Sequence, residues 1–294
     1  MRITHQMLAD ITVDHLRQNV ARLEALQNQI TTGQQHTRPS DDPPAVARTL
    51  SYTADIAAGD AYLRTIDSSQ AWLNATDDAL DSGGQLLQRA RELAVQGANG
   101  SLNASDMAGI GAEVDQLLNQ LVVTANANVR GQRLFGGTKI DADPFALVAG
   151  SPGYTYTGDT GQMLREYDLG ARLAINTPGE AAFGPAITAL TNLRDNLNAG
   201  NSAAVSAGDI GAIDQAVDAM LTARAEVGAK TNRLDAAQTR QNLLQVNLQS
   251  LRSRSADTDY VEALTKFSVQ ETVYKASLEV GGKALQPSLL DYLR

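Results

Sequence analysis

Cysteine is absent from this 294-residue chain, and aromatic residues make up only 4% of it. The lack of cysteine excludes disulfides, thiolate metal ligands and cysteine nucleophiles. Hydrophobic residues nevertheless reach 43% of the total. A composition that is rich in aliphatic residues and poor in aromatic ones is more typical of long helices packed along their sides than of an enzyme core with aromatic anchors.

Positive charge and long apolar runs are also missing. The formal net charge is −9, so the average surface repels nucleic acid, and no basic run offsets this. No stretch approaches the roughly 18 apolar residues that a membrane-spanning helix needs. The beginning, "MRITHQMLADITVDHL", has no basic region followed by an apolar stretch and no cleavage pattern, so it does not read as a signal peptide. We expect neither nucleic acid nor a membrane as a partner.

Sequence motifs typical of catalytic, nucleotide-binding and metal-binding sites are missing as well. "GQRLFGGT" approximates a phosphate-binding loop, but Gly137 occupies the lysine position and the stretch follows a helical pattern. Acidic pairs such as Asp41 with Asp42 lack the alternating oxygen ligands of a calcium loop. The histidines fall in no metal spacing and beside no nucleophile motif: His5, His15 and His36. The sequence therefore predicts no enzyme, no cofactor and no metal.

Apolar residues recur in steps of three, four and seven along most of the chain. The first such pattern runs to Ile30 and predicts a helix that ends at Gly33. A second, between Tyr52 and Leu87, predicts a helix far longer than the usual dozen residues. Ser105 is expected to cap a third helix that folds back beside the second.

The middle of the chain changes character. Residues 139–185 alternate Tyr and Thr between glycines and prolines, which predicts short hairpin strands. Helical periodicity then returns and continues to a break at "RSRSADTD", after which Asp257 or Asp259 is expected to cap a last amphipathic helix. The predicted fold is mainly α: a long antiparallel helical bundle or coiled coil with paired N- and C-terminal helices and a small β-rich insertion.

Three domains follow from this order. Residues 1–42 with 255–294 form a terminal coiled-coil domain for assembly, 43–138 with 186–254 form a long-helix domain, and 139–185 form the β-rich outer insertion.

The break in "RPSDDPPAVA" is interpreted as a hinge and as the start signal of the second helix. Proline is tolerated in the first turn of a helix, and acidic side chains are favourable at its positive end. The residues concerned are Ser40, Asp41, Asp42, Pro43 and Pro44.

Several motifs, in this order, resemble the flagellin superfamily: "MRIT", "ITTGQQHTRPSDDPPAVA", "LLQRARELAVQGANG", "VRGQRLFGGTKIDADPF", "RAEVGAKTNRLDAAQ", "SADTDYVEALTKFS" and "LQPSLLDYLR". The Phe-Gly-Gly-Thr turn followed by a Pro-Phe pair is similar to the hook-associated junction branch rather than to filament flagellin. The resemblance covers both ends and most of the helical middle, and the insertion only loosely.

The resemblance implies a structural subunit of the bacterial flagellum that connects hook to filament. It further implies export through the flagellar type III apparatus without a cleaved signal peptide, an extracellular location and self-association in a ring or helical layer. The implied partners are the first hook-associated protein, flagellin and a flagellar export chaperone. A small flagellin that forms the filament itself is the alternative.

The terminal apolar stripes are the expected inter-helix seams, because a narrow heptad stripe needs a partner to cover it. An intramolecular core made by the same two helices is the other interpretation of these stripes. Since helices gain most of their stability from packing, the ends are expected to be loosely formed in free subunits. The candidate interface residues are Leu16, Val20, Leu23, Leu278, Leu285 and Leu289.

Overall fold

A computed structural model describes residues 5–148 and 153–284. The chain is built mainly from helices, as predicted. They are α1 (His5–Thr32), α2 (Pro43–Gly97), α3 (Ala104–Ala125), α4 (Gly179–Asn198), α5 (Ser202–Ala204), a π-helical turn (Val205–Asp209), α6 (Ile210–Ala256) and α7 (Tyr260–Ala284). No helix within these two described ranges combines the length and apolar character needed to cross a membrane.

Local sequence explains most helix ends. α1 stops at Gly33, which adopts a φ of +69° that only glycine accepts at little cost. α3 begins differently from the prediction: Asn103, and not Ser105, is the N-cap, and its side-chain oxygen accepts a hydrogen bond from the Asp106 amide. Ser105 lies inside the helix, because α3 already begins at Ala104. The side chain of Asn103 is therefore the one placed to accept the hydrogen bond from the free N–H of Asp106.

The strands form three separate antiparallel hairpins. Their strands are β1 (Asn128–Val129) with β2 (Gln132–Arg133), β3 (Phe145–Leu147) with β4 (Tyr154–Tyr156), and β5 (Leu164–Asp168) with β6 (Ala171–Ala174). The last hairpin rests on α6, where Arg233 Nε donates to the Tyr167 hydroxyl at 2.8 Å and Arg240 pairs with Asp168 at 2.6 Å. The predicted β-rich insertion is thus present.

Helix α4 begins at Gly179, within the range 139–185 that the sequence assigned to the insertion. Pro185 lies inside this helix although proline removes one helical hydrogen bond. The neighbouring Phe183 is fully buried and meets Phe135 edge-on, with ring centroids 4.7 Å apart. Burial of this face outweighs the local cost of the proline.

The chain divides into two compact units: a terminal unit, residues 1–58 with 244–294, and a central unit, residues 59–243. The central unit holds the hydrophobic core. Two heptad series on α2 and α6 are fully or almost fully buried: Ile66, Leu73, Leu80 and Leu87, and Ile213, Met220, Val227 and Leu234. The predicted domain bounds at 42, 138, 185 and 254 stay a prediction.

Antiparallel α2 and α6 are joined by ion pairs in the central unit. Arg91 Nε lies 2.6 Å from Asp214 Oδ1, and Arg224 Nε lies 3.0 Å from Asp77 Oδ1. α3 packs against α4, and the Arg194 guanidinium bridges them to Asp115 at 3.2 Å. An exposed pair such as Arg91 with Asp214 contributes little individually, so the buried heptads supply most of the stability of this unit.

Candidate assembly surface

In the terminal unit, α1 packs antiparallel against α7. A Cβ built on Gly281 would lie 2.8 Å from Thr12 Cγ2, and one built on Gly33 would lie 2.7 Å from the Tyr260 hydroxyl. The two helices therefore lie close to each other at both ends of the pair. The predicted pairing of N- and C-terminal helices is confirmed.

Apart from Gln29 and Glu271, the less exposed residues of both helices alternate in steps of four and three, which is the spacing of a coiled-coil seam. We call these residues the α1–α7 seam. On α1 and its end they are Thr12, Leu16, Asn19, Leu23, Leu26, Ile30 and Gly33, and on α7 they are Ala263, Phe267, Gln270, Tyr274, Ser277 and Gly281.

The candidate interface residues divide between two faces. Leu16 and Leu23 are half-buried in the seam. Val20 is 37% exposed and Leu278 is 46% exposed, so both point away from the partner helix of their own chain. Leu285 and Leu289 lie outside the described residues.

The terminal unit has almost no interior of its own. Its buried residues, within the described part of the unit, are Asn19, Ala45, Ala263 and Gly281. Large apolar side chains are exposed along its helices instead: Met7, Ile11, Val13, Val20, Leu50, Leu244, Val246, Leu251, Val261, Leu264, Val269, Val273, Leu278 and Val280. Because contiguous apolar patches mark interaction sites, these side chains make the terminal unit the candidate for one.

Two grooves lie one after the other along the helix pair. One is lined by Leu16, Asn19, Val273 and Val280, and another by Leu26 and Val269. Arg22 borders both grooves. A helix with an apolar stripe fits such grooves, because its side chains insert between those of the pair.

The two chain breaks meet in the terminal unit. Gln35 N donates to Ala256 O at 2.7 Å, and Thr258 N donates to Gly33 O at 2.9 Å. These bonds form an isolated antiparallel bridge between Gln34 and Asp257. We call this bridge the joint. The sequence located both breaks but carried no signal for their pairing, because the bonds use backbone groups that every residue possesses.

The start of α2 follows its sequence motif. Asp42 Oδ1 accepts a hydrogen bond from Ala45 N at 3.0 Å, which makes Asp42 the N-cap. Pro43 and Pro44 occupy the first helical positions, where an amide hydrogen has no helical partner. Asp41 Oδ2 accepts from Arg38 N at 2.9 Å and closes the turn that contains Ser40. Residues 40–44 thus complete this turn and start helix α2.

Shifted pKa values lie in the central unit and mark structural contacts. Burial lowers the pKa of Lys230, whose ammonium donates to Asn176 O at 3.1 Å. Hydrogen bonds from Thr138 lower the pKa of Asp159. The Glu226 carboxylate opposes the effect of burial on the pKa of Lys230. Residues 5–148 and 153–284 contain no group of three potential metal ligands.

Two family models match this chain. The model of the bacterial flagellin N-terminal helical region matches residues 3–140, and that of the C-terminal helical region matches residues 210–293. Together they span about three quarters of the chain. The matched ranges contain the whole of α1, α2, α3, α6 and α7.

Curated relatives are similar over nearly the whole length. Flagellar hook-associated protein 3 of Salmonella typhimurium is 22% identical, with 94% of this chain and 95% of the relative covered. Flagellin FlaB2 of Treponema pallidum is 24% identical, with both chains covered completely.

Solved structures share the fold. FlgL of Bacillus cereus is 25% identical, with a TM-score of 0.61 and coverage of 69% of this chain and 99% of that one. The flagellar junction protein FlgL of Legionella pneumophila is 16% identical, with a TM-score of 0.61 and coverage of 71% and 100%.

Proposed function

The chain belongs to the bacterial flagellin family, and we propose that within it the chain is a structural subunit of the junction between hook and filament. It assembles in the flagellum with other flagellar proteins and is not an enzyme. The terminal unit makes the contacts between subunits.

The observation that carries this proposal is the contrast between the two units. The central unit buries its heptad residues on both long helices, whereas the terminal unit exposes large apolar side chains along α1 and α7. Burying that surface against identical copies supplies the free energy that the isolated unit lacks. A head-to-tail contact between identical subunits generates a ring or a helical layer.

Two observations favour the junction over the filament. The relatives include hook-associated protein 3 of Salmonella typhimurium and of Escherichia coli. The Phe-Gly-Gly-Thr turn is also an integral part of the fold, because the Phe135 carbonyl accepts hydrogen bonds from Gly179 N at 3.0 Å and from the Tyr156 hydroxyl at 2.9 Å. Flagellins are also among the relatives, so a small flagellin that forms the filament is the second candidate function.

The remaining parts of the proposal come from the resemblance in sequence. The neighbours in the assembly are the first hook-associated protein on one side and flagellin on the other. The chain reaches this extracellular position through the flagellar type III apparatus, without a cleaved signal peptide and with the help of an export chaperone.

Truncation tests the role of the terminal unit. Removal of residues 1–40 and 255–294 is expected to leave a soluble, helical monomer, because the buried heptads of the central unit remain. Light scattering and circular dichroism follow assembly and helix content. A truncated chain that still assembles refutes the proposal. Purified full-length protein that grows into long filaments by itself supports the flagellin alternative.

A point variant tests the exposed face without removing a helix. The double change Val20→Asp with Leu278→Asp places charge on two side chains that point away from the seam. We expect normal helix content and loss of self-association, because unpaired charge is costly in a buried interface. The matched control is Leu169→Asp, at an 86% exposed leucine on a hairpin of the central unit. Equal self-association of all three proteins contradicts the proposal.

A further inference from the structure

The most buried large residue of the α1–α7 seam is polar. Asn19 is 8% exposed, while the leucines before and after it in the seam, Leu16 and Leu23, are only half-buried. A polar side chain in a coiled-coil seam lowers stability but specifies how the helices align. This combination makes Asn19 a candidate for such a role.

Both the nitrogen and the oxygen of the Asn19 side-chain amide form hydrogen bonds with side chains of α7. Its Nδ2 donates to Ser277 Oγ at 3.2 Å, and its Oδ1 accepts from Gln270 Nε2 at 3.2 Å. Ser277 Oγ in turn donates to the Val273 carbonyl at 2.7 Å, which orients the hydroxyl so that its lone pairs face Asn19. Asn19 therefore bridges two positions of α7 that are one heptad apart.

The close contacts at Gly33 and Gly281 constrain the alignment at the two ends of the pair. The aliphatic positions of α1 do not distinguish one alignment from the next. Leu16, Leu23 and Ile30 repeat every seven residues, so a slip of one heptad places aliphatic side chains opposite α7 once more. Asn19 is different, because a slip by one heptad leaves it at most one of its two partners. A buried amide without a partner is strongly unfavourable.

We propose that Asn19, held between Ser277 and Gln270, is the residue that specifies the register of the α1–α7 pair. The inference is independent of flagellar assembly, since it concerns the pairing of two helices in one chain. The joint between Gln34 and Asp257 is the competing device for setting the register, and it consists of two backbone hydrogen bonds.

The natural absence of cysteine makes disulfide trapping a direct test. The pair Thr12→Cys with Gly281→Cys reports the native register, because these positions are in contact. The pair Thr12→Cys with Tyr274→Cys reports a slip of one heptad, which is about 10 Å along the helix axis and beyond the reach of a disulfide. The measurement is the yield of each crosslink in the full chain under a redox buffer.

In the parent background we expect the native crosslink to dominate. With Asn19→Leu, the ratio of slipped to native crosslink should rise at least tenfold, because leucine tolerates both alignments. The matched control is Asn28→Leu, the same change at an exposed position of the same helix, and it should leave the ratio unchanged.

A second variant separates register from general loosening. Ser277→Ala with Gln270→Leu keeps Asn19 but removes both partners, so the ratio should rise while the total crosslink yield falls. An unchanged ratio in Asn19→Leu overturns the proposal and assigns the register to the joint or to the close contacts at Gly33 and Gly281. Equal yields of the two crosslinks in the parent chain overturn it as well.

Discussion

At the scale of single residues, Asp159 organises the turn that follows the Phe-Gly-Gly-Thr segment. Its Oδ1 accepts from Thr138 N at 2.8 Å and from Gly161 N at 2.9 Å, and its Oδ2 accepts from Thr138 Oγ1. These bonds favour the charged carboxylate and lower the pKa of Asp159. A half-buried acidic residue thus holds this turn in place through its hydrogen bonds.

Asp159→Asn is expected to lower the thermal midpoint at pH 7. Because the pKa is lower in the folded state than in the unfolded state, the stabilisation by Asp159 is complete above about pH 4 and is lost as the pH falls through the folded value. The difference between parent and variant should therefore shrink toward pH 3. Melting curves at both pH values check this, and a constant difference would show that the charge is irrelevant.

Glycine is required at position 137 both for its positive φ and for lack of space for a Cβ, whereas at Gly170 only the positive φ applies. Gly137 has a φ of +72°, and a Cβ there would lie 2.1 Å from the Asp159 carbonyl oxygen. Gly170 has a φ of +70° with no atom near the same position. We expect Gly170→Ala to cost about 1 kcal/mol from its backbone conformation and Gly137→Ala to cost clearly more. Chemical denaturation of both variants measures the difference, and equal losses would exclude the steric term.

At the scale of elements, helix starts depend on individual caps. Asp259 Oδ1 accepts from Val261 N at 2.9 Å and from Glu262 N at 3.1 Å, so it caps α7, one of the two residues that the sequence had offered. Asp257 instead takes part in the joint through its backbone. α7 therefore begins directly after the joint.

Asp259→Ala should destabilise the first turn of α7 by about 1 kcal/mol, since two amide hydrogens lose their acceptor. Faster hydrogen exchange at Val261 and Glu262 is the expected signal. Asp257→Ala is the control, because it removes the same functional group two residues earlier. If both changes accelerate exchange equally, the cap has no specific effect.

At the scale of the whole molecule, stability is distributed unequally between the units. The central unit contains the fully buried heptads, while the terminal unit exposes large apolar side chains along its helices. Elements with few buried contacts open most easily. We therefore expect the terminal unit to order fully when it assembles.

Hydrogen exchange of free and assembled protein tests this expectation. In free subunits, α1 and α7 should exchange rapidly and the core positions of α2, α3, α4 and α6 slowly. Assembly should protect α1 and α7 and leave the core almost unchanged. Rapid exchange in the middle helices of the free protein, or unprotected termini after assembly, would contradict the division.

Periodicity and turn residues determined much of this fold in advance. The steps of three, four and seven predicted the long helices, because a repeat near 3.6 residues places apolar side chains on one face whatever packs there. Gly33 and the Asp-Asp-Pro-Pro segment predicted where α1 ends and α2 begins, since these effects act within a few residues.

The tertiary structure alone decided which face of each terminal helix is covered. The sequence grouped Val20 with Leu16 and Leu23, but packing against α7 covers the two leucines and leaves Val20 exposed. Packing against α7 also buries Asn19, for which the sequence offered no prediction, more deeply than the leucines of the seam. Tertiary contacts likewise explain why Pro185 is tolerated inside α4 and why Gln34 forms a bridge with Asp257. Such outcomes depend on residues far apart in the chain, whose contacts no local pattern contains.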